Sequence, residues 1–176
     1  MVVECNHVNL NKTQQRWVAA KMERPIFFAK EAPVNFYSLT PSFFNTYKNC
    51  PEIEQKQGRP YYVLLIEWCG YDFAIPLRSH IKHKFSFIAD GMEAGLDFTK
   101  AVVIRDKKFI SPEPVQIRQH EFNFLKQHER VIKKRFDSYL KMYIKKIRRR
   151  LLNPSLPLDK ECLYSALQYF HTELGL

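Results

Sequence analysis

Apolar residues follow two different rhythms along this chain. Up to about residue 110 they come in short runs separated by Pro, Gly and polar clusters, as strands do; beyond residue 116 they return every three or four positions, as one face of a helix does. Residues 34–39 (VNFYSL) read as a short strand. Thr40 and Pro41 then supply an N-cap and an N1 proline, and Phe43, Phe44 and Tyr47 stripe the helix that follows. Cys50-Pro51 ends that helix, because a residue before proline avoids the α region. Residues 61–68 (YYVLLIEW) form the strongest strand pattern, and 71–77 (YDFAIPL) resumes it after Cys69-Gly70, predicting a β-hairpin. Pro76 places the end of the second strand, or a sheet edge, at that point.

Residues 85–88 suggest a further strand, 90–95 a loop and 98–104 (FTKAVVI) another strand, closed by a turn at 105–108. Pro112 and Pro114 open a long helical pattern, and no Gly or Pro interrupts 116–152. Ile132, Phe136, Tyr139, Leu140, Tyr143 and Ile147 form its apolar face, and 127–130 is the place where it would break. Unbroken, it would run roughly 50 Å. Residues 153–157 end it, and a last helix over 159–174 carries Leu163, Leu167 and Phe170, with Gly175 as its C-terminal glycine. The order predicts an α+β fold, an antiparallel sheet with packed helices. Residues 33–176 form the single domain. Residues 1–32 are an N-terminal extension that fits a packed helix, a disordered leader or an upstream start equally, with Met22 as another initiation point.

Composition narrows this picture. The 176 residues are 45% hydrophobic, enough for a core, which excludes a disordered tail or histone-like arm. Cys5, Cys50, Cys69 and Cys162 form no close-spaced pair, so reduced thiols in a cytoplasm are expected rather than a zinc ribbon or a redox motif. The first 21 residues are too polar for a signal peptide, and the longest apolar run is far short of a membrane span. No Gly-rich phosphate loop is present, which disfavours nucleotide-binding α/β folds.

The net charge of +10 is concentrated. Residues 118–150 hold twelve cations and three acids, and the rest of the chain holds 16 cations and 15 acids. One reading is a solvated helix face of helix-favouring Lys and Arg. The other is a surface that tracks phosphates, with Arg118, Lys126, Arg130, Lys133, Lys134, Lys141, Lys145 and Lys146 as contacts. The excess of cations over what solubility requires favours the second. No membrane contact is expected, since the apolar face has the aromatic content of a core and no second anchor exists.

A second basic cluster follows Pro76-Leu77: Arg78-Ser79-His80-Ile81-Lys82-His83-Lys84. Convergent cations suit a phosphate that gains charge in its transition state. RNA carries its own nucleophile, the 2′-OH, so cleavage without metal needs a base, an acid and cations on the phosphorane. His80 and His83 lack a nearby third ligand for zinc, so no metal is expected; a serine in a basic loop also serves as a cap, and the whole stretch also fits a solvated loop. Arg59 and Lys100 are further candidates, because a lysine in a β-branched run must face solvent or a site.

The segments FYSLTPSFF (36–44), RPYYVLLIE (59–67), FAIPLRSHIKHK (73–84) and GLDFTKAVVI (95–104), with the aromatic-basic pattern of 122–143, resemble the toxins of type III toxin–antitoxin systems. These are the ToxN/AbiQ-like endoribonucleases, and the TenpN branch is the most similar. The resemblance spans about residues 36–143. It implies a compact core of strongly bent antiparallel strands, similar to MazF/Kid toxins, with helices including the long basic one. It implies metal-independent endoribonuclease activity leaving a 2′,3′-cyclic phosphate and a 5′-hydroxyl, and no cofactor. The implied partners are a repeated pseudoknot RNA antitoxin, assembling with the toxin as a hetero-oligomer, and cellular or phage RNA as substrate, with a role in abortive infection.

In the ToxN branch a Thr-Ser-x-Lys stretch after the Pro-Leu strand end lines the active site. Here Arg78 takes the Thr position, Ser79 keeps the Ser, Ile81 takes the Lys position and Lys82 follows it. The resemblance therefore implies that Ser79 orients the 2′-OH or phosphate and that Arg78 and Arg59 stabilise the phosphorane. Proton transfer stays open among Lys82, His80 and His83, with Lys84 and Lys100 contacting RNA.

Overall fold

The computed structural model describes residues 36–55, 61–88, 94–113, 115 and 117–176. The reading of residues 1–32, the strand start at Val34 and the candidate Arg59 lie outside the described residues. Among these residues are six strands: β1 (Phe36–Ser38), β2 (Tyr62–Trp68), β3 (Tyr71–Ser79), β4 (Ser86–Phe87), β5 (Ala94–Asp97) and β6 (Val102–Ile104). They form one antiparallel sheet in the order β1-β2-β3-β5-β4, with β6 also joined to β3. Four α-helices accompany it: α1 (Pro41–Thr46), α2 (Gln119–Gln127), α3 (Glu129–Leu152) and α4 (Lys160–Leu163). The chain is thus α+β with an antiparallel sheet. Among the described residues no helix is long and apolar enough to cross a membrane.

The expected hairpin is β2–β3, with Val63 opposite Pro76 and Trp68 opposite Tyr71. Its two-residue loop has Cys69 at φ 52° and Gly70 at φ 81°. Both are left-handed, the twist that a tight hairpin requires. Pro76 does not end β3. On the side of β3 away from β2, Asp72–Ala74 pair with β6 and Leu77–Ser79 pair with β5. Pro76 falls in the gap between those partners, which is where a strand interior tolerates a missing N–H.

Two expectations change beyond the hairpin. The stretch expected as a loop before Leu96 contains β5, and residues 98–104 are not one strand: Phe98–Lys100 is a 3₁₀ turn before β6. Asp97 causes the break by capping that turn through its side chain. Gly95 is required in β5, since a Cβ there would lie 2.8 Å from the Phe87 carbonyl oxygen.

The long helical pattern does break within 127–130. His128 closes α2 and opens α3, its Nδ1 lying 2.8 Å from the Phe124 carbonyl while its ring stacks on Phe124 at 4.0 Å. All six expected core positions of α3 are buried. Phe136, fully buried, sits 5.5 Å from Phe73 and 5.6 Å from Phe98, fastening α3 to the sheet. The last expected helix is instead α4 followed by a 3₁₀ turn, Ala166–Phe170. Ser165 interrupts it: the hydroxyl accepts from Leu167 N and donates to the Thr99 carbonyl at 2.9 Å. A tertiary hydrogen bond thereby overrides the helical pattern.

Candidate active site

The site is built around Asp97, the last residue of β5 and the cap of the 3₁₀ turn. Its Oδ1 accepts from Thr99 N at 3.0 Å and from Thr99 Oγ1 at 2.7 Å, the local geometry that Asp-x-Thr favours. Its Oδ2 accepts from Arg78 Nη1 at 2.5 Å. The Asp97 carboxylate is fully buried, so these donors are what make its charge tolerable there. His83 Nε2 lies 3.3 Å from Oδ1 and 3.5 Å from Thr99 Oγ1. Arg78 Nε lies 3.0 Å from Glu54 Oε2, an ion-pair contact whose angle falls short of a hydrogen bond.

Strand register explains the convergence. Arg78 is opposite Gly95, so Asp97 stands two places along on the same face. Continuing the β2–β3 register two places beyond Val63 and Pro76 brings Tyr61 opposite Arg78. The turn holding Thr99 is clamped from behind. Ser165 Oγ binds the Thr99 carbonyl and receives the Tyr139 hydroxyl at 3.0 Å, while Lys100 Nζ donates to the Tyr164 carbonyl at 2.8 Å. The C-terminal segment and α3 therefore fix where Asp97 points.

Electrostatics set the protonation states. Burial lowers the Arg78 pKa, but the hydrogen bond it donates to Asp97 and the charges of Asp97 and Glu54 raise it by more. Burial, aided by the charge of Glu54, pushes the Tyr61 phenol above its ordinary range and keeps it neutral. Burial also lowers the Lys100 ammonium, with Asp97 opposing the shift. Tyr61 Oη and His83 Nδ1 are buried with no hydrogen-bond partner. The Asp97 carboxylate beside Nε2 orients the His83 ring.

The predicted site residues separate into groups. Arg78 and His83 come together at Asp97. Ser79, His80 and Lys82 are exposed. Ser79 directs its side chain to the opposite face of β3 from Arg78, by strand alternation, and His80 turns the chain with a left-handed φ of 58°. The cations of 118–150 divide as well. Lys133 pairs with Glu129, Lys141 with Asp137 at 2.8 Å and Lys146 with Asp159. Lys126 lies 5.9 Å from the Phe122 ring centre, and Arg118 is the residue preceding α2. Lys145 is exposed.

Arg130 and Lys134 line a groove of about 650 Å³ between α3 and the β4 segment, together with Lys84 and Arg135. The positions 130, 131, 134, 135 and 138 share one helical face, which is why α3 presents them together.

Asp97, Thr99, Glu54, Tyr61 and Arg135 belong to these sites without having been singled out in the sequence. The Asp-x-Thr capping pattern was a readable signal for Asp97 and Thr99; Glu54 and Tyr61 carry none. Among the described residues no three His, Cys, Asp or Glu side chains group as metal ligands would, and the buried Cys162 is a free thiol. No protein-family model matches the chain, and neither the curated proteins nor the solved structures contain a significant match to it.

Proposed function

We propose that this protein is a metal-independent endoribonuclease that cleaves RNA by 2′-OH attack, the toxin of a type III toxin–antitoxin system held in check by a repeated pseudoknot RNA. The observation that carries the reading is the His83 imidazole oriented by the buried Asp97 carboxylate beside Arg78 and Lys100. In this reading His83, whose side chain is 26% exposed, takes the 2′-OH proton once bound RNA displaces the groups that cover Nδ1. The electron pair of the 2′-oxygen forms the bond to phosphorus, and the P–O5′ bond breaks with the proton returned to the 5′-oxygen. Lys100, whose ammonium is bound to the Tyr164 carbonyl at 2.8 Å and lowered by burial, is assigned that second transfer on letting go of the carbonyl. A guanidinium has five N–H donors, so Arg78 keeps donors for the phosphorane beyond those facing Asp97 and Glu54. The family resemblance assigns Arg59 to the phosphorane as well, and Ser79, His80 and Lys82 hold flanking phosphates at the rim.

The bent MazF/Kid-like core, the cytoplasmic setting, the hetero-oligomer with antitoxin RNA and a role in phage abortive infection belong to the same proposal. One observation favours a second reading. Arg78 is already neutralised by two carboxylates, which suits a nucleic-acid-binding module without chemistry. Incubation with RNA followed by end analysis separates the two. Cyclic 2′,3′-phosphates that persist in EDTA and vanish in His83→Ala support the nuclease; intact RNA refutes it.

A further inference from the structure

We propose that the groove between β4 and α3 is a nucleotide subsite that takes one unpaired residue of single-stranded RNA, its base against Phe85 and its phosphates on the surrounding cations. This deepens the reading above and rests on its choice of RNA as ligand. The groove measures about 650 Å³, within the range that holds a molecule of nucleotide size. Its lining includes Lys84, Arg130, Lys134 and Arg135 and no acidic residue, so its charge complements phosphate.

The floor is apolar. Phe85 is half-buried and backed by the Tyr139 ring at 5.2 Å, which holds it as a rigid platform. The Lys84 ammonium lies 5.3 Å from the Phe85 ring centre, putting a cation beside the surface that a base would cover. Val131 is the telling residue on the helix side. It is 42% exposed, flanked by Arg130, Lys134 and Arg135, and contributes neither to the core nor to helix propensity. An apolar, β-branched side chain amid cations suits contact with the face of a base.

A duplex hides its base faces in its own stack, whereas an unpaired base offers them to an aromatic side chain. Position supports the same occupant. Lys84 follows His83 directly and the groove residue Phe98 lies between Asp97 and Thr99, so a nucleotide in the groove neighbours the reacting centre.

The test uses the full chain and a fluorescein-labelled 2′-O-methyl RNA of about 12 nucleotides, a length that covers a single-strand site. It is offered as single strand and as duplex, and binding is read by anisotropy. The 2′-O-methyl group removes the nucleophile, so binding is read without cleavage. The wild-type protein is expected to prefer the single strand. Phe85→Leu is expected to weaken it by roughly 5- to 100-fold, the effect of losing one stacked base. Because Phe85 also packs on Tyr139, Val131→Glu on the exposed helix face provides a variant that leaves the core intact. Its carboxylate should weaken single-strand binding by about tenfold or more, and duplex binding less. Equal wild-type affinity for the two forms, or a Val131→Glu protein that binds the single strand within about twofold of wild type, overturns the subsite. Cleavage of unmodified RNA, followed in parallel, separates the two proposals. Wild-type cleavage with binding insensitive to Val131→Glu discards the subsite and keeps the nuclease. Binding that depends on Phe85 and Val131 without any cleavage does the reverse.

Discussion

Asp97 is the carboxylate on which the site's geometry depends, and its replacement yields to calculation. Asp97→Ala removes the acceptor of Thr99 N, Thr99 Oγ1 and Arg78 Nη1 and the neighbour of His83 Nε2, all at a fully buried position. The Thr99 N–H is left unpaired in the interior, which costs about 1–3 kcal/mol. A charge-assisted bond adds about 1.5–3 kcal/mol, but Arg78 keeps Glu54 and a 28% exposed side chain, so water and the second carboxylate recover part of it. The expected total is about 3–5 kcal/mol. Asp97→Asn keeps the shape and one oxygen for Thr99 and loses the charge alone, for about 1–3 kcal/mol.

Urea unfolding followed by tryptophan fluorescence measures both values, and the alanine variant should melt about 6–20 °C lower. A double-mutant cycle with Arg78→Met isolates the ion pair, with an expected coupling of about 1–2 kcal/mol. A cost below about 1 kcal/mol for Asp97→Ala, or no coupling to Arg78, would refute the account of Asp97 as the buried anchor.

His83→Ala should lower RNA cleavage by about 10²–10⁴-fold, whereas His80→Asn, which suits the left-handed backbone, should stay within a few-fold of wild type; equal losses would remove the distinction. Burial raises the phenol pKa of Tyr61, Tyr139 and Tyr143, so above about pH 10 the unfolded chain holds fewer protons and stability falls as pH rises. Lys100, lowered in the fold, acts with the opposite sign below about pH 10.4, but one lysine is outweighed by three phenols. Unfolding free energies between pH 8 and pH 11, with Tyr61→Phe giving a shallower fall, check this. Phe136→Ala, at a fully buried site between Phe73 and Phe98, should cost about 3–5 kcal/mol in the urea midpoint analysis. Lys134→Gln should reduce the salt slope of single-strand RNA binding by about 0.7, while Lys146→Gln, already paired with Asp159, should leave it nearly unchanged.

What sequence alone determined was local. The helical stripe from Ile132 to Ile147 named the buried face of α3 correctly, because helical periodicity and burial are tied through each residue's own neighbours. Cys69-Gly70 marked the hairpin for the same reason: the left-handed turn is chosen by the residues in it. The concentration of charge on residues 118–150 was also legible.

Tertiary structure decided the rest. It split the basic cluster of 78–84, drawing Arg78 and His83 to Asp97 while Ser79, His80 and Lys82 stayed exposed, because strand alternation and the β3–β5 register act across the sheet. It paired Lys146 with Asp159, beyond the local pairs that Lys133 and Lys141 make one turn away, and it set Arg130 and Lys134 along the groove, because of where Asp159, Phe85 and the β4 segment lie. It also broke residues 98–104 and 159–174 into shorter elements, since the hydrogen bond from Ser165 to the Thr99 carbonyl joins positions that no local pattern connects. A side chain's periodicity is written in its neighbours, but the carboxylate that gathers Arg78 and His83 comes from 14 to 19 residues away along the chain.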